Sequence, residues 1–422
     1  MARIVVNTWG SFGDVFPYVG LALALRERGH EPVLAMPALY REVIAREGLL
    51  FEPVGPDIDV DDRALTARVM DPARGPEVLF RQILVPALRE AHQELSRVAE
   101  GAHLLVTHPA ALAGPIVAEE RRIPWASTVL APMSLFSTSD PVVPPAAPWV
   151  YPLLARSRAA SRAFVWLARQ ITRRWLAPVE RFRASRGLPA RGNPIMEGQH
   201  APHLGLAMFS RVLGEPQPDW PEQTVVTGPI LYNATAQVTV PDDLREFLDD
   251  GDPPIVFTLG TSAVGAAGAF YETSAAAAER LGRRAVLLVG PYPDNRPRRA
   301  SRAVFAAEFA PHAALFPRAC AIVHQGGVGT LHQALASGAP MIVVPHSHDQ
   351  PDNARRAASL GVSRTVCPGR YRVATLAREL DALLASGAYR ERARRVAAVV
   401  KAENGPARAC DAIEALLASS RP

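Results

Sequence analysis

The chain has 422 residues, 48% of them hydrophobic and 21% charged, with a formal net charge of +5. Those values fit a globular protein of two domains, each able to bury a sizeable core. The positive excess is too small to argue for nucleic acid without a basic stripe, and suits a phosphate-bearing ligand or an anionic membrane surface.

Three cysteines, Cys320, Cys367 and Cys410, lie far apart without metal-ligand spacing. Neither a disulfide framework nor a zinc site is expected, and a reducing cytoplasmic compartment fits. No secretory leader is expected before the first strand. No run of 18 or more apolar residues reads as a spanning helix.

Residues 4–6 read as a buried strand, 10–14 as a glycine-containing loop, and Pro17 as part of a helix's first turn. Gly29 is a stop for that helix, and the next strand starts at Pro32. Further strand-like runs are 103–107 and 125–130. Strands alternating with helices imply a parallel sheet covered on both faces. Residues 156–186 hold nine arginines and one glutamate, interleaved with Phe164, Trp166, Ile171 and Trp175. This segment reads as a basic amphipathic helix, either a solvated face whose apolar side lines the core or an acceptor pocket, or a weak peripheral contact with an anionic membrane.

Pro216, Pro218, Pro221 and Pro229 break up the chain and predict a linker over 216–240. The alternation then restarts. Strands are predicted at 255–259, 285–289, 319–323 and 341–344, with a helix at 271–281. Two more helices, 389–401 and 407–417, end the chain. The predicted organisation is an N-terminal domain 1–215, the linker 216–240, a C-terminal domain 241–400 and a closing helical segment 401–422.

The chemistry concentrates in 309–350. A strand runs into His324-Gln325-Gly326-Gly327-Val328-Gly329-Thr330, and a helix is predicted from Leu331 to Ser337. Glycines at a strand-to-helix turn let a ligand approach the backbone. The first helical turn offers unpaired N–H groups and a partial positive charge, an anion site suited to a pyrophosphate. His324, Gln325 and Thr330 add side-chain donors. By itself such a turn serves equally as a tight connection.

Phe309-Ala310-Pro311-His312, then 324–330, then Asp349-Gln350 stand in an order that resembles the signature of the family 1 glycosyltransferases. The resemblance extends weakly over the whole chain. It implies the GT-B fold, two facing Rossmann-like α/β domains with a C-terminal helix returning to the N-terminal domain. It further implies a nucleotide-sugar co-substrate with a UDP- or dTDP-hexose donor, and no other cofactor. By the resemblance Phe309 packs on the base with His312 at its edge. Thr261, His324, Gln325, Gly327, Gly329 and Thr330 hold the diphosphate, and Asp349 and Gln350 take sugar hydroxyls. Many family members carry a second histidine where this chain has Gln325, which donates a hydrogen bond but bears no charge.

Gly13-Asp14 follows the first strand, and the sterol and glycopeptide branches of the family show a similar Gly-Ser-x-Gly-Asp pattern, so the resemblance is to the bacterial sterol, glycopeptide and rhamnolipid-type branch. It implies Asp14 as general base on the acceptor hydroxyl, although an Asp before a helix is also an ordinary N-cap. Phe12, His108 and Met133 are acceptor-side candidates. His346 and His348 flank the acidic-Gln pair without metal-ligand spacing, and a metal-independent reaction is expected. The expected activity is inverting transfer of a hexose to a hydroxyl of an apolar small molecule such as a natural product, phenolic, sterol or lipid. A sugar-nucleotide 2-epimerase and a non-catalytic partner protein on the same fold are the alternatives.

Overall fold

A computed structural model describes residues 1–58, 62–232 and 240–420. The chain forms two compact units. The first holds Met1–Asp59, Arg74–Tyr232 and Glu403–Pro422, and the second holds Val60–Ala73 and Asn233–Ala402.

The first unit is built on a seven-stranded sheet of order β3-β2-β1-β4-β5-β6-β7. Its strands are β1 (Arg3–Asn7), β2 (Glu31–Met36), β3 (Leu50–Pro53), β4 (Leu104–Thr107), β5 (Trp125–Val129), β6 (Gly205–Ala207) and β7 (Thr224–Val226). All pairings are parallel. Covered on both faces, the central strands are continuous apolar runs, and Ile4, Val5 and Val6 are fully buried. Each such side chain contributes roughly 1.5–3 kcal/mol by leaving water. Residues 216–232, expected in the linker, include β7, which pairs with β6. The rest of that expected linker, 233–239, and the last two residues of the expected closing segment lie outside the described residues.

The first helix spans Phe12–Glu27, which puts Pro17 in its second turn rather than its first. Ser11 occupies the N-cap, so Asp14 is the third helical residue and not the cap. The basic segment 156–186 is two helices, Tyr151–Arg156 and Arg158–Ser185, broken at Ser157. The last helix, Gly405–Ser419, belongs to the first unit. Arg28 bridges to Asp411 and Glu414 there at 2.6 and 2.8 Å, and His30 reaches Glu414 at 3.1 Å.

The second unit has a six-stranded parallel sheet of order β10-β9-β8-β11-β12-β13. The strands are β8 (Ile255–Thr258), β9 (Ala285–Leu288), β10 (Val304–Ala307), β11 (Ala321–His324), β12 (Met341–Val343) and β13 (Ser363–Thr365). Both sheets reverse direction of growth beside their first strand, between β1 and β4 and between β8 and β11. Ligands of open α/β sheets bind beyond the carboxyl ends of the strands at such a switch point. No helix among the described residues is long and apolar enough to cross a membrane.

Candidate active site

In the second unit the switch point lies between the connection after β8 and the one after β11. The helix after β11 begins at Val328, not Leu331, with Gly327 as N-cap. Val328, Gly329 and Thr330 therefore form its first turn, whose N–H groups lack intrahelical partners. Gly327 and Gly329 are partly accessible. Gly338 closes the helix in the left-handed conformation.

Gln325 is 3% exposed, and its Oε1 has no hydrogen-bond partner. Its Nε2 lies over Gly260, where a Cβ would overlap it, and 2.9 Å from a Cβ placed on Gly327. Thr330 Oγ1 lies 3.3 Å from a Cβ built on Gly260. Gly260 has φ +60°, so the backbone and the contact both select glycine. Thr261, next in the chain, is exposed.

His324 is placed differently from the expectation. It is fully buried, with Nδ1 accepting from Gly326 N–H at 3.1 Å and Nε2 against Met341 Sδ at 3.3 Å. Burial, with the His312 ring adding to it, pushes its pKa down to about 3. A neutral, fully engaged imidazole shapes the turn and offers no charge to a ligand. Phe309 is 54% exposed, a free ring at the carboxyl side of β10. His312 stacks on Phe316 at 4.3 Å, and burial lowers its pKa to about 4.

Asp349 precedes the helix Gln350–Ser359. Gln350 Oε1 accepts from His346 N–H at 2.8 Å and Ser347 N–H at 3.2 Å, which fixes the turn. Asn353 Nδ2 donates to Asp349 Oδ2 at 2.7 Å and to the Gly326 carbonyl at 2.8 Å. Inside the same helix Asp352 and Arg356 form a buried pair at 2.6 Å. Losing one partner of such a pair costs roughly 3–5 kcal/mol. Sequence reasoning missed Asn353 and Gly260. The signal for Asn353 was its position four residues after Asp349, on the same helix face.

In the first unit the switch point brings Asp14 and His108 to the ends of β1 and β4. Asp14 Oδ2 accepts from Ser11 N–H at 2.8 Å and Ser11 Oγ at 3.0 Å. His108 Nδ1 accepts from Ala110 N–H at 3.2 Å, and its ring meets Tyr18 edge-on at 5.8 Å. Burial lowers the His108 pKa, and the nearby Asp14 charge opposes that shift. Phe12 is half-buried against Phe16 and Tyr40, and Met133 lies in the short turn Pro132–Leu135.

Two partly open cavities flank the segment after β4. One is mainly apolar and lined by Trp9, Leu84, Leu88 and Ala111 among others. The other is lined by His108, Ala111, Glu180, Arg183, Arg191 and Gln199 among others. Glu180 Oε1, Arg183 Nε and Gln199 Oε1 have no hydrogen-bond partner there. Each unmet buried group costs about 1–3 kcal/mol, so this cavity suits water or a hydroxylated ligand.

Residues 295–416 match the family model of the erythromycin biosynthesis protein CIII-like C-terminal domain. The O-mycaminosyltylonolide 6-deoxyallosyltransferase of Streptomyces fradiae is 34% identical, over 98% of this chain and 97% of that protein. Glycosyltransferase GtfE of Amycolatopsis orientalis is 30% identical over 85% of each. The crystal structure of glycosyltransferase VinC in complex with DTDP shares the fold at TM-score 0.71 and 19% identity, covering 99% of this chain and 100% of that one. Two Rossmann-like units, a signature spanning 309–350 and an end-to-end relative of this similarity make the chain a member of the family 1 glycosyltransferases of the GT-B fold.

Proposed function

We propose that this glycosyltransferase moves a hexose from a UDP- or dTDP-sugar to a hydroxyl of an apolar small molecule, with inversion and without a metal ion. The observation that carries the donor side is the convergence of Gly260, Gln325 and the first turn at Val328, Gly329 and Thr330 at one switch point. The N–H groups of that turn and the Gln325 amide hold the diphosphate, with Thr261 beside them. Exposed Phe309 stacks on the base, with His312 at the edge. Asp349 and the Gln350 amide nitrogen take sugar hydroxyls. His324 serves this site through the turn it shapes. The DTDP bound by VinC supports a thymidine donor, and the Streptomyces fradiae relative's name supports a 6-deoxyhexose.

In the reaction the acceptor oxygen attacks the anomeric carbon from the face opposite the diphosphate. Its proton passes to the Asp14 carboxylate, and the bond to the diphosphate oxygen breaks with its electron pair leaving on that oxygen. The helix dipole and first-turn N–H groups stabilise the leaving charge. The two cavities of the first unit, with Phe12, His108 and Met133, form the acceptor side. The apolar cavity receives the hydrocarbon part, and the one lined by Arg183 and Gln199 receives hydroxyls. A panel of UDP- and dTDP-hexoses with aromatic, sterol and macrolide acceptors, read by mass shift with and without EDTA, tests the reading. Absence of acceptor-dependent nucleoside diphosphate release across the panel would refute it.

Weak peripheral contact with an anionic membrane and a cytoplasmic setting belong to the same proposal. Trp149, Leu153, Trp166, Leu167 and Ile171 are exposed on or beside the two basic helices, and no acidic residue occurs between Trp149 and Trp175. Apolar side chains beside arginines suit a headgroup interface. Flotation with anionic liposomes tests this contact, and a protein that stays at the bottom of the gradient removes it.

A further inference from the structure

Residues 62–71 come from the first half of the sequence yet belong to the second unit. Asp62 caps the helix Arg63–Val69 through Leu65 N–H at 2.8 Å. Met70 is buried in the second unit's core with Val264 and Tyr292. Arg63 lies over the Tyr292 ring at 4.7 Å and pairs with Asp294 at 3.3 Å. Thr66 Cγ2 lies 3.7 Å from a Cβ built on Gly265. Ser347 Oγ donates to the Asp71 carbonyl at 3.1 Å, and His348 Nε2 meets the Val69 carbonyl at 2.8 Å. The segment therefore straps together the connections after β8, β9 and β12, all at the carboxyl edge of the sheet.

His348 has φ +56°, a left-handed conformation unfavourable for a side chain with a Cβ. Such a residue persists only where its surroundings over-determine it. Here the strap fixes the turn from one side through Ser347 and His348, and Gln350 Oε1 fixes it from the other. His348 immediately precedes Asp349, so relaxing its backbone would rotate the Asp349 carboxylate.

We propose that residues 62–71 are a donor-specificity strap, and that His348 is the positioning residue through which it holds Asp349 and Gln350 toward the sugar. The inference rests on the donor reading above, and it assigns sugar discrimination to a segment remote in sequence from the sugar pair. The base and diphosphate are held by 309–312 and by the turns at 260–261 and 328–330; the strap packs on Val264 and Gly265 beyond the first of these turns, and its hydrogen bonds go to the turn before the sugar pair.

Calorimetry with UDP, dTDP and their glucose conjugates, using the full chain, tests the proposal. His348→Ala removes the imidazole and keeps the backbone cost, Met70→Ser loosens the strap without touching the turn, and His348→Gly guards against misfolding because glycine accepts this backbone. We expect His348→Ala and Met70→Ser to weaken the sugar conjugate about tenfold, the scale of one or two lost hydrogen bonds. The free nucleoside diphosphate should bind within about twofold of wild type, and His348→Gly should fall between. Equal losses for both ligands, or an unchanged ratio in Met70→Ser, would overturn the strap. Wild type binding neither nucleotide would overturn the donor reading itself, which separates the two failures.

Discussion

Asn353 Nδ2 donates to the Gly326 carbonyl at 2.8 Å and so ties the helix Gln350–Ser359 to the glycine turn after β11. Both residues are buried, and a Cβ on Gly326 would lie 2.7 Å from Val343 Cγ1 and 3.3 Å from the Gln350 carbonyl. The two halves of the proposed donor site are thus one packed piece. Asn353→Ala leaves the Gly326 carbonyl and the Asp349 carboxylate each short of a donor. The expected cost is about 1–3 kcal/mol of stability, read by urea unfolding, with weaker binding of both dTDP and dTDP-glucose. Unaltered binding of both would show that the tie is dispensable.

Asp14 Oδ2 is held by Ser11. Asn at position 14 can still accept from Ser11 N–H, so the helix start survives while the proposed base is lost. Asp14→Asn should lower turnover by about 100- to 10,000-fold, the range of general base help, with the nucleotide Kd unchanged. Steady-state kinetics with titration calorimetry checks it, and near-normal turnover would remove Asp14 from the role.

Gly260 carries two demands, a left-handed backbone and no room beside Gln325 Nε2. Gly268 has φ +54° with nothing near a built Cβ, and so carries only the first. Gly268→Ala should cost about 1 kcal/mol. Gly260→Ala should cost about 1–3 kcal/mol more through overpacking and weaken dTDP binding by displacing Gln325. Urea midpoints of the two variants measure the difference, and equal losses would mean that the Gln325 contact carries no weight.

Ala111 lines both cavities of the first unit. Ala111→Phe should fill acceptor space and raise the acceptor KM about tenfold, equivalent to about 1.4 kcal/mol. The dTDP Kd should stay fixed, since the proposed nucleotide site lies in the other unit. An unchanged acceptor KM in a folded variant would point the acceptor away from these cavities.

Burial holds the His324 pKa at about 3 against an ordinary 6.5. Between those values the unfolded chain binds a proton here and the folded chain does not. The stability linked to His324 is complete above about pH 6.5 and is lost as pH falls, at up to about 1.4 kcal/mol per pH unit. His324→Asn keeps an acceptor for Gly326 N–H and cannot take up that proton. Its stability should fall less steeply between pH 6.5 and pH 4, measured by urea unfolding, and identical slopes would show that His324 is not the group responsible.

The sequence by itself determined the α/β alternation, the two-unit plan and the position of the glycine turn after β11, because local apolar runs and glycine punctuation carry those signals. It left β3, β6, β7, β10 and β13 unread: β3, β7, β10 and β13 are the edge strands of the two sheets, paired on one side and only partly buried, and β6 is the short run Gly205-Leu206-Ala207. It also started the helix after β11 three residues late, taking Val328-Gly329-Thr330 for loop. Only tertiary structure decided that His324 turns inward onto Met341, that Gly260 faces Gln325, and that Val69 and Asp71 hold the turn before Asp349. Each is a contact between residues 17 to 279 positions apart, and no local pattern encodes where a remote backbone carbonyl or an incoming side chain will lie once the sheet has assembled.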